Sequence, residues 1–134
     1  MSPSNNGSFS RSLRVKSETA ELAGVRSFVE EVAREFALDV ERVFDLKVAV
    51  SEACANAVEH GTSDHAFLDI QALKRERTLT FIVTDTGRFA TPALPRQASQ
   101  NRGLGLPLMV ALMDEVCFSR LPDGGTTVAL SVRF

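Results

Sequence analysis

The sequence predicts an α/β two-layer sandwich, with helices packed on one face of a mixed, mostly antiparallel sheet. Two observations carry that prediction. Between Glu18 and His60 apolar residues recur at helical spacing, whereas from Phe67 to Val132 they mostly alternate in short runs joined by polar or glycine-containing turns. An amphipathic helix and a half-buried strand each have one apolar side, and two layers bury both. At 134 residues and 44% hydrophobic content, the chain has material for one core and no room for a second folded domain.

Residues 1–8 are expected to be a disordered leader and residues 9–134 a single domain. Phe9, Leu13 and Val15 predict a short half-buried strand. Leu22, Val25, Phe28 or Val29, Val32 and Phe36 then form the stripe of an amphipathic helix from Glu18 to Leu38. After a break near Asp39, a second helix runs from about Glu41 to His60 and stops at Gly61, a residue suited to the left-handed conformation that closes helices. Phe67 to Leu73 alternates through Leu68, Ile70 and Ala72. Arg75 to Thr78 turns the chain into Leu79, Phe81 and Val83, predicting an antiparallel hairpin. Asp85 to Arg102 has no period and contains Gly87, Pro92, Pro95 and the polar run Arg96 to Asn101, which predicts a functional loop of the lid type. Gly103 and Gly105 open a short helix with Leu106, Met109, Val110 and Met113 at helical spacing. Pro107 is tolerated there because the first turn has free amides. Val116 and Phe118, a turn at Pro122 to Gly125, and Val128, Leu130 and Val132 predict a closing hairpin.

The bulk properties exclude several function classes. A formal net charge of −2 and a pI of about 5.7 leave no basic patch of the size that direct nucleic-acid or anionic-membrane binding requires, so proteins or small molecules are the expected partners. No apolar run reaches the ~18 residues that span a bilayer, and Met1 to Ser12 lacks the apolar stretch of a signal peptide, so the cytoplasm is the expected compartment. Cys54 and Cys117 have no metal-ligand spacing around them and are expected to be small buried apolar groups.

The chemistry concentrates in three places. Glu52, Asn56 and His60 fall four residues apart on the second helix, so they form one line with a drift of roughly 40° per step, beside the apolar line Leu46, Val50, Ala53 and Ala57. A carboxylate and an amide oxygen on one face are hard donors of the kind Mg²⁺ takes alongside phosphates and water. Taken alone, such a pair reads as two solvated helix residues, since pairs at this spacing are common. Gly103 and Gly105, with Arg102 before them, would leave backbone amides free to meet phosphate oxygens at the positive end of a helix, or would simply turn the chain. Asp85, Thr86 and Gly87 at a strand end read alone as a turn.

In their order along the chain, these three elements resemble the nucleotide-binding boxes of the ATPase superfamily that includes gyrase, heat-shock chaperone and histidine-kinase domains (the Bergerat or GHKL fold). Glu52, Asn56 and His60 match its E-x-x-x-N-x-x-x-H box, Asp85 and Gly87 its D-x-G box, and Arg102 to Leu106 its second glycine box. The run Glu52-Ala-Cys-Ala-Asn56-Ala-Val-Glu-His60-Gly61, the closing Leu112-Met113-Asp114-Glu115-Val116 and the lone-domain length are most similar to bacterial anti-sigma factor serine/threonine kinases. The resemblance covers roughly residues 10 to 134. It implies ATP and Mg²⁺ as cofactors, with Asn56 as the metal ligand, Glu52 as general base toward a serine hydroxyl and Asp85 as acceptor for the adenine amino group. It further implies that Gly87 shapes the turn under the base, that Arg102, Gly103, Leu104 and Gly105 wrap the phosphates, and that Thr126 helps bind adenine through water. His60 has no evident role in that chemistry and is assigned to closing the helix. The implied partners are a sigma factor, an anti-anti-sigma antagonist phosphorylated on serine, and a second copy of the chain in a homodimer. An alternative is a non-catalytic switch module of the same fold acting on a phosphatase or other regulator, suggested by Arg88-Phe89 where the family often has a second glycine.

Overall fold

Alternation along each strand sorts the sheet into a buried face and an open one. The computed structural model describes residues 9–60, 66–85, 105–120 and 125–134. The expected leader, the helix stop at Gly61, the lid and most of the last turn lie outside them. Strands Phe9–Lys16 (β1), Phe67–Arg75 (β2), Thr78–Asp85 (β3), Glu115–Arg120 (β4) and Thr126–Arg133 (β5) lie in the order β1-β2-β3-β5-β4. All four pairings are antiparallel, so the mostly antiparallel sheet expected from the sequence is antiparallel at every described ladder. Among the described residues, the helices Leu22–Glu35 (α1), Val40–His60 (α2) and Gly105–Leu112 (α3) cover the face that carries Leu68, Ile70, Ala72, Leu79, Phe81, Val83, Val128, Leu130 and Val132. On the open face hydroxyls are interspersed with apolar residues such as Ile82 and Ala129, and Thr80 Oγ1 lies 2.8 Å from Ser131 Oγ.

The helices meet the sheet through the stripes that the sequence displays. Val25, Phe28, Val29 and Val32 of α1 are all buried, so both members of the Phe28/Val29 alternative face the core. Phe28 meets Phe81 edge to face at 6.3 Å between centroids. At the β1 edge, Arg11 holds the helix surface through Glu31 at 3.3 Å and Glu35 at 3.1 Å. Met109 and Met113 are buried, whereas Val110, grouped with them by spacing, is 57% exposed. The helix is only two turns long, and once Met109 faces the sheet the next residue, about 100° further round, must turn outward.

Local chemistry sets the helix ends. The expected helix from Glu18 resolves into a 3₁₀ turn, Thr19–Glu21, followed by α1. α1 stops because Ala37 takes a left-handed conformation (φ 56°). The Leu38 N–H then donates to the Ala33 carbonyl (3.4 Å) and the Ala37 N–H to the Arg34 carbonyl (3.1 Å), which is a Schellman closure. Two residues later Asp39 begins α2, its Oδ1 accepting the Arg42 N–H at 2.8 Å as an N-cap.

Ala37→Gly should therefore raise stability by about 0.5–1 kcal/mol, since glycine adopts this conformation without the penalty to a Cβ. Asp39→Ala should lower it by about 1 kcal/mol through the lost cap. Urea midpoints at constant m-value check both signs.

Candidate functional site at one end of the α2 cleft

The wiring brings residues from distant parts of the chain to the same end of the sheet. Arg42, in the first turn of α2, pairs with Asp114 at 3.5 Å, and Asp114 Oδ2 also accepts the N–H of Arg133, the last residue of β5, at 2.6 Å. The start of α2 is thus tied to the end of β5. From Arg42 to Asn56 the helix rises about 21 Å, and from Arg133 back to Thr126 the strand covers about 24 Å, so Asn56 stands near the level of Thr126. β3 runs antiparallel to β5 and ends at Asp85. Its register closes on Thr84 opposite Thr127, so the next step sets Asp85 opposite Thr126.

Azimuth on α2 completes the arrangement. Arg42, Ala49 and Asn56 are separated by two-turn steps that slip only about 20° each, so they share the side of the helix that faces α3. The opposite flank is marked by Lys47, which reaches Glu30 of α1 at 3.3 Å. Glu52 and Asn56 are half-buried beside the fully buried Ala49 and Ala53. α3 ends at the Asp114 corner, where the Asp114 N–H donates to the Ser131 carbonyl (2.9 Å), and the helix extends about 12 Å from there back to its first residue, Gly105. Asp85 is 1% exposed and closes the buried column Leu79, Phe81, Val83. Among the described residues it is the one charged side chain in the buried core.

Five of the residues singled out from sequence (Glu52, Asn56, Asp85, Gly105 and Thr126) therefore lie on regular elements, with Asp85 and Thr126 at the same end of neighbouring strands and Glu52 and Asn56 along one side of α2. Gly87, Arg102, Gly103 and Leu104 lie outside the described residues. Asn56 and Glu52 supply one amide oxygen and one carboxylate, and among the described residues no group of three or more His, Cys, Asp or Glu comes together. That donor set fits a magnesium ion completed by phosphate and water, rather than one caged by protein alone. A buried carboxylate at a strand end fits the edge of a nucleobase, where a charge-assisted hydrogen bond offsets desolvation.

The sequence matches the family described as histidine kinase-like ATPase domain over residues 15–132. The chain belongs to that family. Similar proteins include the serine-protein kinase RsbW of Bacillus velezensis, 32% identical over 133 residues (89% of this chain and 82% of the relative). The anti-sigma F factor of Clostridium novyi is 31% identical over 101 residues (68% and 71%). Among solved structures, that of the RsbU and RsbW domains of Rv1364c from Mycobacterium tuberculosis matches with a TM-score of 0.69 and 25% identity, covering 92% of this chain and 32% of that one. The histidine kinase domain of a blue-light activated kinase from Erythrobacter litoralis shares the fold, with a TM-score of 0.51 and 20% identity over 85% of this chain and 59% of that one. None of the described helices is long and apolar enough to cross a membrane.

Two points depart from the sequence reading. Nothing in the pattern singles out Arg42, although its spacing to Ala49 and Asn56 marks the same side of α2. Cys117, expected to be buried, is exposed, because β4 is an edge strand and is exposed along most of its length. Cys54 is buried on the Lys47 flank of α2, two turns further along, and burial pushes its thiol up to about 12. At pH 8 a thiol reagent should label Cys117 and spare Cys54 until the protein unfolds. The raised folded-state value also makes a stability contribution that is complete below the ordinary value of 9.0 and declines as pH climbs from there to about 12. Denaturation midpoints measured from pH 8 to 11 should fall less steeply in Cys54→Ala than in the parent chain.

Proposed function

We propose that this chain is an ATP-dependent anti-sigma factor and serine kinase. It sequesters a sigma factor and phosphorylates a serine of the anti-anti-sigma antagonist that competes for it. The observation that carries the reading is the buried Asp85 at the end of β3, beside the start of β5, in a fold whose helix α2 carries the half-buried Glu52 and Asn56 on one side. The relatives named as serine kinases and anti-sigma factors support it.

In this reading each residue has a task. Asp85 accepts the adenine amino group, Gly87 turns the chain beneath the base, and Thr126 helps hold the base through water. The Asn56 amide oxygen ligates Mg²⁺, which when bound neutralises charge on the phosphates. Arg102, Gly103, Leu104 and Gly105 wrap the phosphates, the last at the N-terminus of α3. Glu52 takes the proton from the incoming serine hydroxyl as its oxygen bonds to the terminal phosphorus and ADP departs. Phosphoryl transfer asks mainly for positioning and charge neutralisation, and those are the services this set offers. The protein acts in the cytoplasm as a homodimer.

Calorimetric titration of Mg-ATP is the direct test. Wild type should bind in the micromolar to sub-millimolar range, roughly −8 to −5 kcal/mol, and Asn56→Ala should lose that binding. No binding to either protein would reduce the chain to a partner-binding relative of the fold. Glu52→Ala should keep nucleotide affinity while transfer to the antagonist falls by about 10² to 10⁴, the contribution of a positioned base. Unchanged transfer from radiolabelled ATP would remove Glu52 from that role.

A further inference from the structure

We infer that Asp114, together with Arg42, is a positioning residue: a strut between the end of α3 and the start of α2 that sets how α3 stands relative to the Glu52–Asn56 ridge. The inference rests on the proposed nucleotide site and concerns residues that the reading above leaves without a role.

Asp114 joins three elements. Its N–H donates to the Ser131 carbonyl at 2.9 Å, and its Oδ2 accepts the Arg133 N–H at 2.6 Å, so both its backbone and its carboxylate are held on β5. From that fixed position the same oxygen meets Arg42 of α2 at 3.5 Å, with the two side chains 34% and 27% exposed. A carboxylate already fixed by backbone bonds offers the guanidinium a preorganised partner, unlike a solvated pair that must order two free side chains. Asp114 lies two residues after Leu112, the end of α3, and the Met113 N–H continues the helical bonding to the Met109 carbonyl at 3.0 Å. The strut thus clamps the last turn of α3 to the first turn of α2. Both helices extend away from the clamp, α2 on to Asn56 and α3 back to Gly105, so a small change of angle at the clamp becomes a larger displacement of Gly105 relative to Asn56. Misplacement by about 1 Å is enough to cost a large factor in a transfer reaction.

Arg42→Gln and Asp114→Asn test the strut. The asparagine keeps an oxygen for the Arg133 N–H, so that variant isolates the charged contact to α2. At a temperature where circular dichroism shows every variant folded, both substitutions should raise the Mg-ATP Kd by about 5- to 10-fold, and Arg42→Lys should restore it to within about 2-fold. Amide exchange at Met109 to Leu112 should accelerate in the two weakened variants while Phe81 and Val83 in β3 stay protected. An unchanged Kd, or exchange that quickens equally in α3 and β3, would overturn the inference by reducing the pair to a contributor to global stability. Absence of Mg-ATP binding by the wild type would instead overturn the proposed function. Exchange alone then decides the strut: acceleration confined to α3 upholds it, and a uniform or absent change removes it.

Discussion

Burial of one ridge of α2 against β3 and β5 is the constraint on which the rest of the molecule depends. Leu46, Ala49, Val50, Ala53 and Cys54 are each at most 2% exposed, and they meet a sheet whose central strands present Phe81, Val83 and Leu130. A helix has a single rotation about its axis, so burying this ridge fixes the azimuth of every other residue. Glu52 and Asn56 are left half-buried at the border on the side of α3. Rotating them into solvent or deeper into the core would expose Leu46 or Val50, at about 1.5–3 kcal/mol for each large apolar side chain. The position of the two polar groups is therefore a consequence of core packing and needs no interaction of their own to hold it.

The sheet contributes its acid differently. β3 alternates without interruption through Leu79, Phe81 and Val83, and the next inward position is Asp85. A carboxylate there carries a desolvation cost that an apolar residue avoids, and buried charges are often replaced by apolar residues with no loss of stability. In the proposed site such an acid would serve recognition of a hydrogen-bond donor, because the buried surroundings that make the group costly also strengthen the bond it forms.

Much of this was legible in the sequence, for reasons that differ by element. α1, α2 and the two hairpins were readable because burial on one side imposes a period of 3.6 or 2, and Val25, Val29, Leu68, Ile70, Leu79 and Phe81 display it without exceptions. What resists such reading depends on geometry that no period encodes. α1 ends at Ala37, a residue with no compositional sign of the left-handed conformation it adopts. The exposure of Val110 follows from the shortness of α3, and that of Cys117 from the place of β4 at the edge. Arg42 and Asp114 are 72 positions apart, and only the fold makes them neighbours. The candidate site stands between these cases. Its residue types are plain, but a lone Glu/Asn pair, an Asp before Thr-Gly and two spaced glycines each have an ordinary structural reading. Their order along the chain suggested a common site, and the antiparallel wiring supplies a physical reason for it by bringing α2, β3, α3 and β5 to one end.

The distribution of these residues between rigid and glycine-punctuated sequence has its own logic. The groups assigned to the base, the metal and the proton (Asp85, Asn56 and Glu52) sit on long elements whose side chains are fixed by packing. Such elements hold a group to the tolerance that directional bonds and in-line transfer require. The groups assigned to the phosphates come from a stretch marked in the sequence by Gly103 and Gly105, a residue type whose missing Cβ lets a phosphate approach the backbone N–H. A phosphate presents several equivalent oxygens and accepts donors over a broad range of directions, so it tolerates a less rigid frame than an adenine edge or a transferring proton. Holding the end of α3 to the start of α2 suits this division, because one fixed corner can relate a packed helix to the helix start assigned to the phosphates without placing polar struts inside the proposed site.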